Sequence, residues 1–544
     1  MAIKGAGEDS VRAGEAAVGA GPRASAAAGE RKRLARNALT SYGARGAVGL
    51  SALLLTPLLY RELGPGGFGT WSVIYTIATV FSLFEVGYSQ GIAKFVAEYD
   101  ARGEDSEVRA TLRAGLVAFA LIGLVAGLGC LLLAGFGSHL AAPAWREQFR
   151  TGMAILGVAV LIRFPLVAYG GALQGYQRYD MYYTSDIVLA TGFAVVAVPV
   201  VALGGGVLGL SIVWASALVA SASLYRFFLA RARRRLGLGS LRLAATAPRR
   251  GRRLAAFSSL TVLSESMTFI AQRMDTVIIA GIRGAAAAGP YAAAIKLQSG
   301  LQALTTPFVN LMLPMTSELH ARGEHDAIVR RLTQATRVSL QITLPVAAGL
   351  SLFAKDGVTL WLGHDVPSTT FSIVVVLMAV QTVTLTVFPS QTVLVGLGRV
   401  RIIGVLAMVE GFSNLGVSIA LVSAYGAIGA ALGTLFTSAV IAPVKIPLVC
   451  RALKYRLRGF LSSAIAPGLL SSLPGLAAMV LVRLVMNGGV VQLLVGLAAG
   501  LGISLLIGLA QMGREQIGLL ARSLISIRSG PSTEAETQTL VEAG

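Results

Sequence analysis

"FVAEYDARGEDSEVR" (95–109) and "MTSELHARGEHDAIVR" (315–330) carry the same tetrapeptide, Ala-Arg-Gly-Glu, at 101–104 and again at 321–324. The copies lie 220 residues apart, each after a long apolar run, and each carries both signs of charge. Other positions keep that spacing. Gly69 corresponds to Gly289, Trp71 to Tyr291, Glu98 to Glu318 and Val108 to Ile328. Further on, Gly206 and Gly209 match Gly426 and Gly429, and Arg231 and Ala232 match Arg451 and Ala452. One tetrapeptide can recur by chance in a chain rich in Ala, Gly and Arg. Ordered matches at equivalent places mark an internal repeat.

The runs between these polar loops set the class of protein. Of the 544 residues 55% are hydrophobic and only 13% charged, with a mean hydropathy of +0.71, which leaves too little polar surface for a soluble chain of this size. Apolar stretches near the ~20 residues that a bilayer requires recur down the chain. They fall at 38–60, 66–90, 114–136, 151–174, 182–203 and 206–228, then at 255–279, 286–314, 335–354, 370–392, 402–423 and 427–449, and finally at 460–482 and 488–511. The expectation is an all-α polytopic membrane protein with about 14 transmembrane helices. Two parallel six-helix repeats would form N- and C-lobes, with two extra C-terminal helices.

Lys and Arg orient it. "RKRLAR" (31–36), "RARRRLGLGSLRLAATAPRRGRR" (231–253) and "CRALKYRLR" (450–458) all fall on one side if the spans alternate. The opposite loops hold only isolated cations such as Arg61, Arg146 and Arg283. The basic side is cytoplasmic by the positive-inside rule, so both termini are expected inside. The same rule accounts for the net charge of +20 without nucleic acid. The organisation reads as a disordered basic tail (1–36), N-lobe (37–230), basic linker (231–254), C-lobe (255–450), spans 13–14 (451–512) and a cytoplasmic tail (513–544). The tail at 1–36 lacks the apolar core of a signal peptide. Cys130 and Cys450 sit in or beside apolar runs, without the spacing of a disulfide framework or a metal site.

An even number of spans per repeat returns the chain to its starting side, so the repeats are parallel. In transporters of that design the substrate site lies between them, and rocking alternates its access. Charges at membrane depth cost roughly 2.5–3.5 kcal/mol each, so each suggests a cavity or a partner. Arg45, Arg163, Glu265 and Lys296 are the candidates for a substrate cavity. Glu85, Arg273, Asp275 and Glu410 are candidates for ion coupling or structural pairing. Arg273 and Asp275 lie near enough to a span end to snorkel. Arg45 and Glu265 share a register position, 220 residues apart, and are expected to face each other as opposite charges.

Other motifs carry less. "GYSQG" (87–91) has the pattern of a nucleophile elbow, but at a helix end without a strand or a histidine partner. "LGPGGFGTW" (63–71) lacks the Lys of a phosphate loop and reads as a tight outside turn, with Trp71 as an interfacial anchor. The four histidines show no zinc spacing. No catalytic residue, metal or cofactor is expected. With no soluble segment long enough for an ATPase, transport would draw on H+ or Na+ coupling or on the substrate gradient.

"LGPGGFGTWSVIYTIATVFSLFEVGYSQGIAKFVAEYDARGE" (63–104), "LQGYQRYD" (173–180), "DTVIIAGIRGAAAAGPYAAAIKL" (275–297) and "EGFSNLGVSIALVSAYGAIGAALGT" (410–434) together resemble the polysaccharide biosynthesis flippases. These belong to the multidrug/oligosaccharidyl-lipid/polysaccharide exporter superfamily. The resemblance covers roughly 36–455. It implies two six-helix bundles in the bacterial cytoplasmic membrane that move undecaprenyl-pyrophosphate-linked oligosaccharide to the outer leaflet. It also implies arginines contacting pyrophosphate in a central cavity, which suits Arg45 and Arg163. The two extra spans resemble those of 14-helix members, including lipid II flippases. Partners would be the lipid-linked glycan, membrane lipids, and a polymerase and glycosyltransferases of the same pathway. The rival readings are an ion-coupled exporter of drugs or small solutes from the same superfamily, a polymerase or glycosyltransferase, and a non-transporting component of the machinery.

Overall fold

The structure is a computed structural model describing residues 6–235, 273–310, 312–363, 366–486 and 489–511, with the side chains of 6–48, 50, 82–84, 86, 235, 307–308, 505, 509 and 511 outside the description. Glu265 and the side chain of Arg45 fall outside it, and so does their expected pairing.

The described residues form helices and no strand. The helices are α1 (Ala6–Ala101), α2 (Asp105–Phe136), α3 (Arg146–Gly175), α4 (Tyr179–Ala202), α5 (Gly206–Arg235), α6 (Asp275–Arg283) and α7 (Ala285–Asn310). There follow α8 (Met312–Ala321), α9 (His325–Leu352), α10 (Ala354–Leu362), α11 (Thr369–Gly396), α12 (Val400–Tyr425), α13 (Ala427–Ile441) and α14 (Lys445–Ala452). A short turn, α15 (Leu457–Phe460), then leads into α16 (Ala466–Val485) and α17 (Gly489–Gln511). Among the described residues nine helical segments are long and apolar enough to cross a membrane. The pair α9 and α10, bent by 78° at their junction, passes the same test only when taken together, as a broken span or a re-entrant loop. The protein is an all-α, multi-pass membrane protein.

α1 is two arms joined at Gly64, where φ is +65°. The expected loop at 63–71 is thus narrower than its glycines suggested. Only Gly64 leaves the helical region, and Pro65 opens the next arm, where its missing N–H costs nothing. That arm runs on to Ala101, eleven residues past the apolar run that ends at 90, because a helix does not stop where hydrophobicity stops. Trp71 is 4% exposed, and so is not the interfacial anchor that its place beside a turn suggested.

The repeat is visible in the backbone. Left-handed glycines recur at the same spacing: Gly64 and Gly284, Gly103 and Gly323, Gly206 and Gly426. Both Ala-Arg-Gly-Glu loops close the same way. Glu104 N–H donates to the Tyr99 carbonyl at 2.9 Å, and Glu324 N–H to the Leu319 carbonyl at 2.9 Å. These are the six-to-one bonds of a Schellman cap, with the glycine in its left-handed position. In each loop the arginine reaches back one turn to a glutamate, Arg102 to Glu98 and Arg322 to Glu318.

The helices gather into two compact units, Met1–Lys296 with Glu410–Ala430, and Leu297–Val409 with Ala431–Gly544. In the first, α3 packs against α2 and α5 through small residues. A Cβ on Gly127 would lie 3.0 Å from the Gly157 carbonyl, and one on Gly157 equally close to that of Gly127. Such backbone approach is how helices associate where lipid removes the hydrophobic drive. In the second unit, Ile328, Leu332, Val393, Val449 and Phe460 form a core. α16 and α17 are held there by polar contacts: Gln341 donates to Ser471 at 3.1 Å, and Arg483 pairs with Asp356. Gln492 Nε2 donates to the carbonyls of Arg483 at 3.0 Å and Met486 at 2.7 Å, capping the end of α16.

Candidate functional site: a cationic, aromatic-walled cavity

A cavity of about 290 Å³ opens inside the first unit. Helical spacing selects its lining. The second arm of α1 contributes Phe68, Trp71, Ser72, Tyr75, Thr76 and Thr79, one stripe at intervals of three and four. The first arm adds Ser51, Leu55 and Leu59, and α4 adds Asp186, Leu189, Ala190 and Phe193 on the same rhythm. Trp214 comes from α5, Arg273 from just before α6, Thr276 from its first turn, and Ala292, Ile295 and Lys296 from α7. All lie within roughly four helical turns of the Gly64 or Gly284 turns, or on helices facing those segments.

At its turn end the two repeats touch at equivalent residues. A Cβ on Gly69 would fall 1.8 Å from the Ala285 carbonyl oxygen, and one on Gly289 2.3 Å from the Pro65 carbonyl oxygen. Pro65 and Ala285 are themselves repeat mates. The local two-fold relation therefore passes between Gly69 and Gly289, where backbone meets backbone with no side chain between.

Aromatic rings make a continuous wall. Trp71 stacks on Phe193 with centroids 5.8 Å apart and planes at 16°. Phe193 meets Trp214 edge-on at 5.0 Å, and Trp214 meets Tyr75 at 5.1 Å. Lys296 Nζ lies 4.8 Å from the Tyr75 ring centroid, a cation–π contact. Arg273 is the second cation of the lining, and neither forms an ion pair with a carboxylate among the described residues. Asp186 is the one carboxylate of the lining among the described residues; it accepts a hydrogen bond from the Tyr225 hydroxyl at 3.1 Å.

The other candidate charges are distributed as follows. Arg163 and Glu85 meet each other, Nη1 to Oε2 at 2.7 Å and Nη2 to Oε1 at 3.4 Å, both side chains about nine-tenths buried. Asp275 is buried and accepts from the Tyr291 hydroxyl at 2.6 Å, so it does not snorkel. Glu410 is half-buried on α12. Arg273 and Lys296, placed in separate classes by their sequence positions, share one cavity.

Asp186 and the aromatic wall were missed. Asp186 lies inside the run 182–203, and the rule that flagged the other intramembrane charges applies to it equally. The wall had no signal, because Trp71, Tyr75, Phe193 and Trp214 come from three segments and look like ordinary membrane aromatics until the helices are packed. Arg233 was also hidden, in a basic block read as a topology signal. It is 2% exposed, donates to Tyr176 Oη at 2.8 Å and to Asp105 Oδ2 at 3.1 Å, and lies in ion-pair contact with Asp105 Oδ1 at 2.8 Å. It ties the end of α5 to the first Ala-Arg-Gly-Glu loop.

The fold is shared with solved membrane transporters. It is similar to the structure of the lipid II flippase MurJ in an inward closed conformation, with a TM-score of 0.68 at 13% identity, covering 90% of this chain and 99% of that one. It is also similar to a multidrug resistance MATE family transporter in its inward-facing conformation, with a TM-score of 0.66 at 14% identity, covering 76% and 98%. The family model for polysaccharide biosynthesis proteins matches residues 34–320, more than half of the chain, and the chain belongs to that family. A curated relative, the uncharacterized membrane protein EpsK of Bacillus subtilis (strain 168), is 24% identical over 330 residues. That match spans 57% of this chain and 61% of EpsK.

Proposed function

We propose that this protein is a flippase for a glycan carried on a polyprenyl diphosphate, which it moves from the inner to the outer leaflet of a bacterial cytoplasmic membrane by alternating access. The observation that carries this reading is the pair Arg273 and Lys296, two cations in one aromatic-walled cavity without a carboxylate partner among the described residues. Each costs roughly 2.5–3.5 kcal/mol at membrane depth. A ligand with two adjacent negative charges offsets both, and arginine is suited to phosphate through its fork of donors. An exporter of cationic drugs needs the opposite balance, and among the described residues the lining holds two cations against one carboxylate, Asp186. The buried Glu85–Arg163 pair is self-neutral and acts as a strut in this reading.

The test is leaflet-resolved measurement of the lipid-linked glycan after depletion of the protein, with complementation by variants. Accumulation on the inner leaflet is expected. Unchanged sidedness, with unpolymerised units outside, would instead mark a polymerase. In purified protein, Lys296→Gln and Arg273→Gln are each expected to weaken binding of undecaprenyl diphosphate by about 10- to 100-fold.

A further inference from the structure

We propose that the aromatic wall of the cavity is a saccharide subsite holding the sugar joined directly to the diphosphate. The inference rests on the diphosphate reading above and adds where the glycan is recognised.

The wall begins where the charge ends. Lys296 Nζ sits 4.8 Å from the Tyr75 ring, and beyond Tyr75 come Trp214 at 5.1 Å and Trp71 at 6.1 Å between centroids. A diphosphate held by the cations puts its glycosidic oxygen, and so the first sugar ring, against those indoles. A pyranose has an apolar face of C–H groups and a rim of hydroxyls. An indole offers a flat π surface to the first, and polar side chains must meet the second.

Both are present. Ser72, Thr76 and Asp186 share the lining with the rings. A polyprenyl chain in the same place would bury the Ser72 and Thr76 hydroxyls, and the rest of the Asp186 carboxylate beside its Tyr225 bond, at about 1–3 kcal/mol for each group left unsatisfied. It also has no need of the cavity, since the bilayer solvates it. A sugar uses the hydroxyls, the carboxylate and the rings together. The volume, about 290 Å³, is at the lower edge of the ~300–1,000 Å³ typical of small-molecule sites. The site therefore suits the diphosphate and its first sugar, with the rest of the glycan outside. Selectivity would then be set by the first sugar and be indifferent to the distal repeat.

The full-length protein in lipid nanodiscs tests this with two radiolabelled lipids, undecaprenyl diphosphate and the same lipid bearing one N-acetylglucosamine. The readout is the ratio of the two affinities. The protein is expected to favour the glycosylated lipid by about tenfold. Trp71→Leu and Trp214→Leu should bring the ratio close to one, and Trp71→Phe and Trp214→Phe, which keep an aromatic face, should restore most of it. A ratio near one in the unsubstituted protein overturns the saccharide subsite but leaves the diphosphate reading standing. So does a tenfold ratio that survives both Leu substitutions. Equal loss of both lipids in the Leu variants with an unchanged melting temperature assigns the wall to the diphosphate or the chain, and also overturns it. Failure of the protein to bind undecaprenyl diphosphate in a Lys296-dependent way overturns the diphosphate reading itself.

Discussion

Two pairs of residues carry most of the local consequence. Gly69 and Gly289 are needed for a geometric reason, since a methyl on either would overlap a backbone carbonyl oxygen of the other repeat at 1.8 or 2.3 Å. A carbonyl on a helix cannot swing aside as a side chain can, so the helices must separate. Gly69→Ala is expected to destabilise the protein by about 1–3 kcal/mol, the usual cost of overpacking, read as a lower melting temperature in detergent. An unchanged melt would mean that the crossing is loose. Glu85 and Arg163 follow another logic. Removing one partner strands a buried charge, so Glu85→Leu alone is expected to cost about 3–5 kcal/mol. The double substitution Glu85→Leu with Arg163→Leu should recover most of it, because the desolvation penalty vanishes with the charges. A double variant as unstable as the single would argue that the pair has a further partner.

At the scale of elements, the chain is held by polar ties where lipid cannot supply a hydrophobic drive. Arg233 is the clearest, joining the end of α5 to the loop between α1 and α2 through Asp105, and to the end of α3 through Tyr176. In the second repeat the register equivalents are Leu453 for Arg233 and His325 for Asp105, so the cation and its carboxylate are exchanged together. Arg233→Ala is expected to cost about 2 kcal/mol and to raise hydrogen exchange in the 101–105 loop. An unprotected loop in the unsubstituted protein would contradict that role. The Ala-Arg-Gly-Glu motif itself was legible as a connector from its place after an apolar run. What its glycine does, ending a helix in the left-handed region, follows from the Schellman bond.

For the whole molecule, the asymmetry of basic blocks predicts that both termini and the Ala-Arg-Gly-Glu loops share one face of the membrane. Reporter fusions at residue 30, in the loop at 323 and at residue 530 should all report the cytoplasm. A reporter at 323 on the opposite face would break the span parity and the expectation of 14 spans. The internal repeat, the apolar runs and the family resemblance were all readable in one dimension, because a bilayer imposes a minimum length and a polarity on each segment independently of the others. The nine spans found among the described residues, with the bent pair at 325–362, match the runs expected between 114–228 and 335–511.

The sequence by itself therefore determined the class, the repeat and its spacing, since each depends on local composition and on backbone geometry within a few residues. The tertiary structure alone decided which charges meet. It joined Arg163 to Glu85 across 78 positions, brought Arg273 and Lys296 to one cavity, and turned Trp71 from a supposed anchor into part of an aromatic wall. The reason is rotational. A membrane span is recognised by its length, but the face a residue presents depends on how each helix is turned about its axis. Close contacts such as Gly69 on Ala285 set that rotation, and no run of apolar residues encodes it.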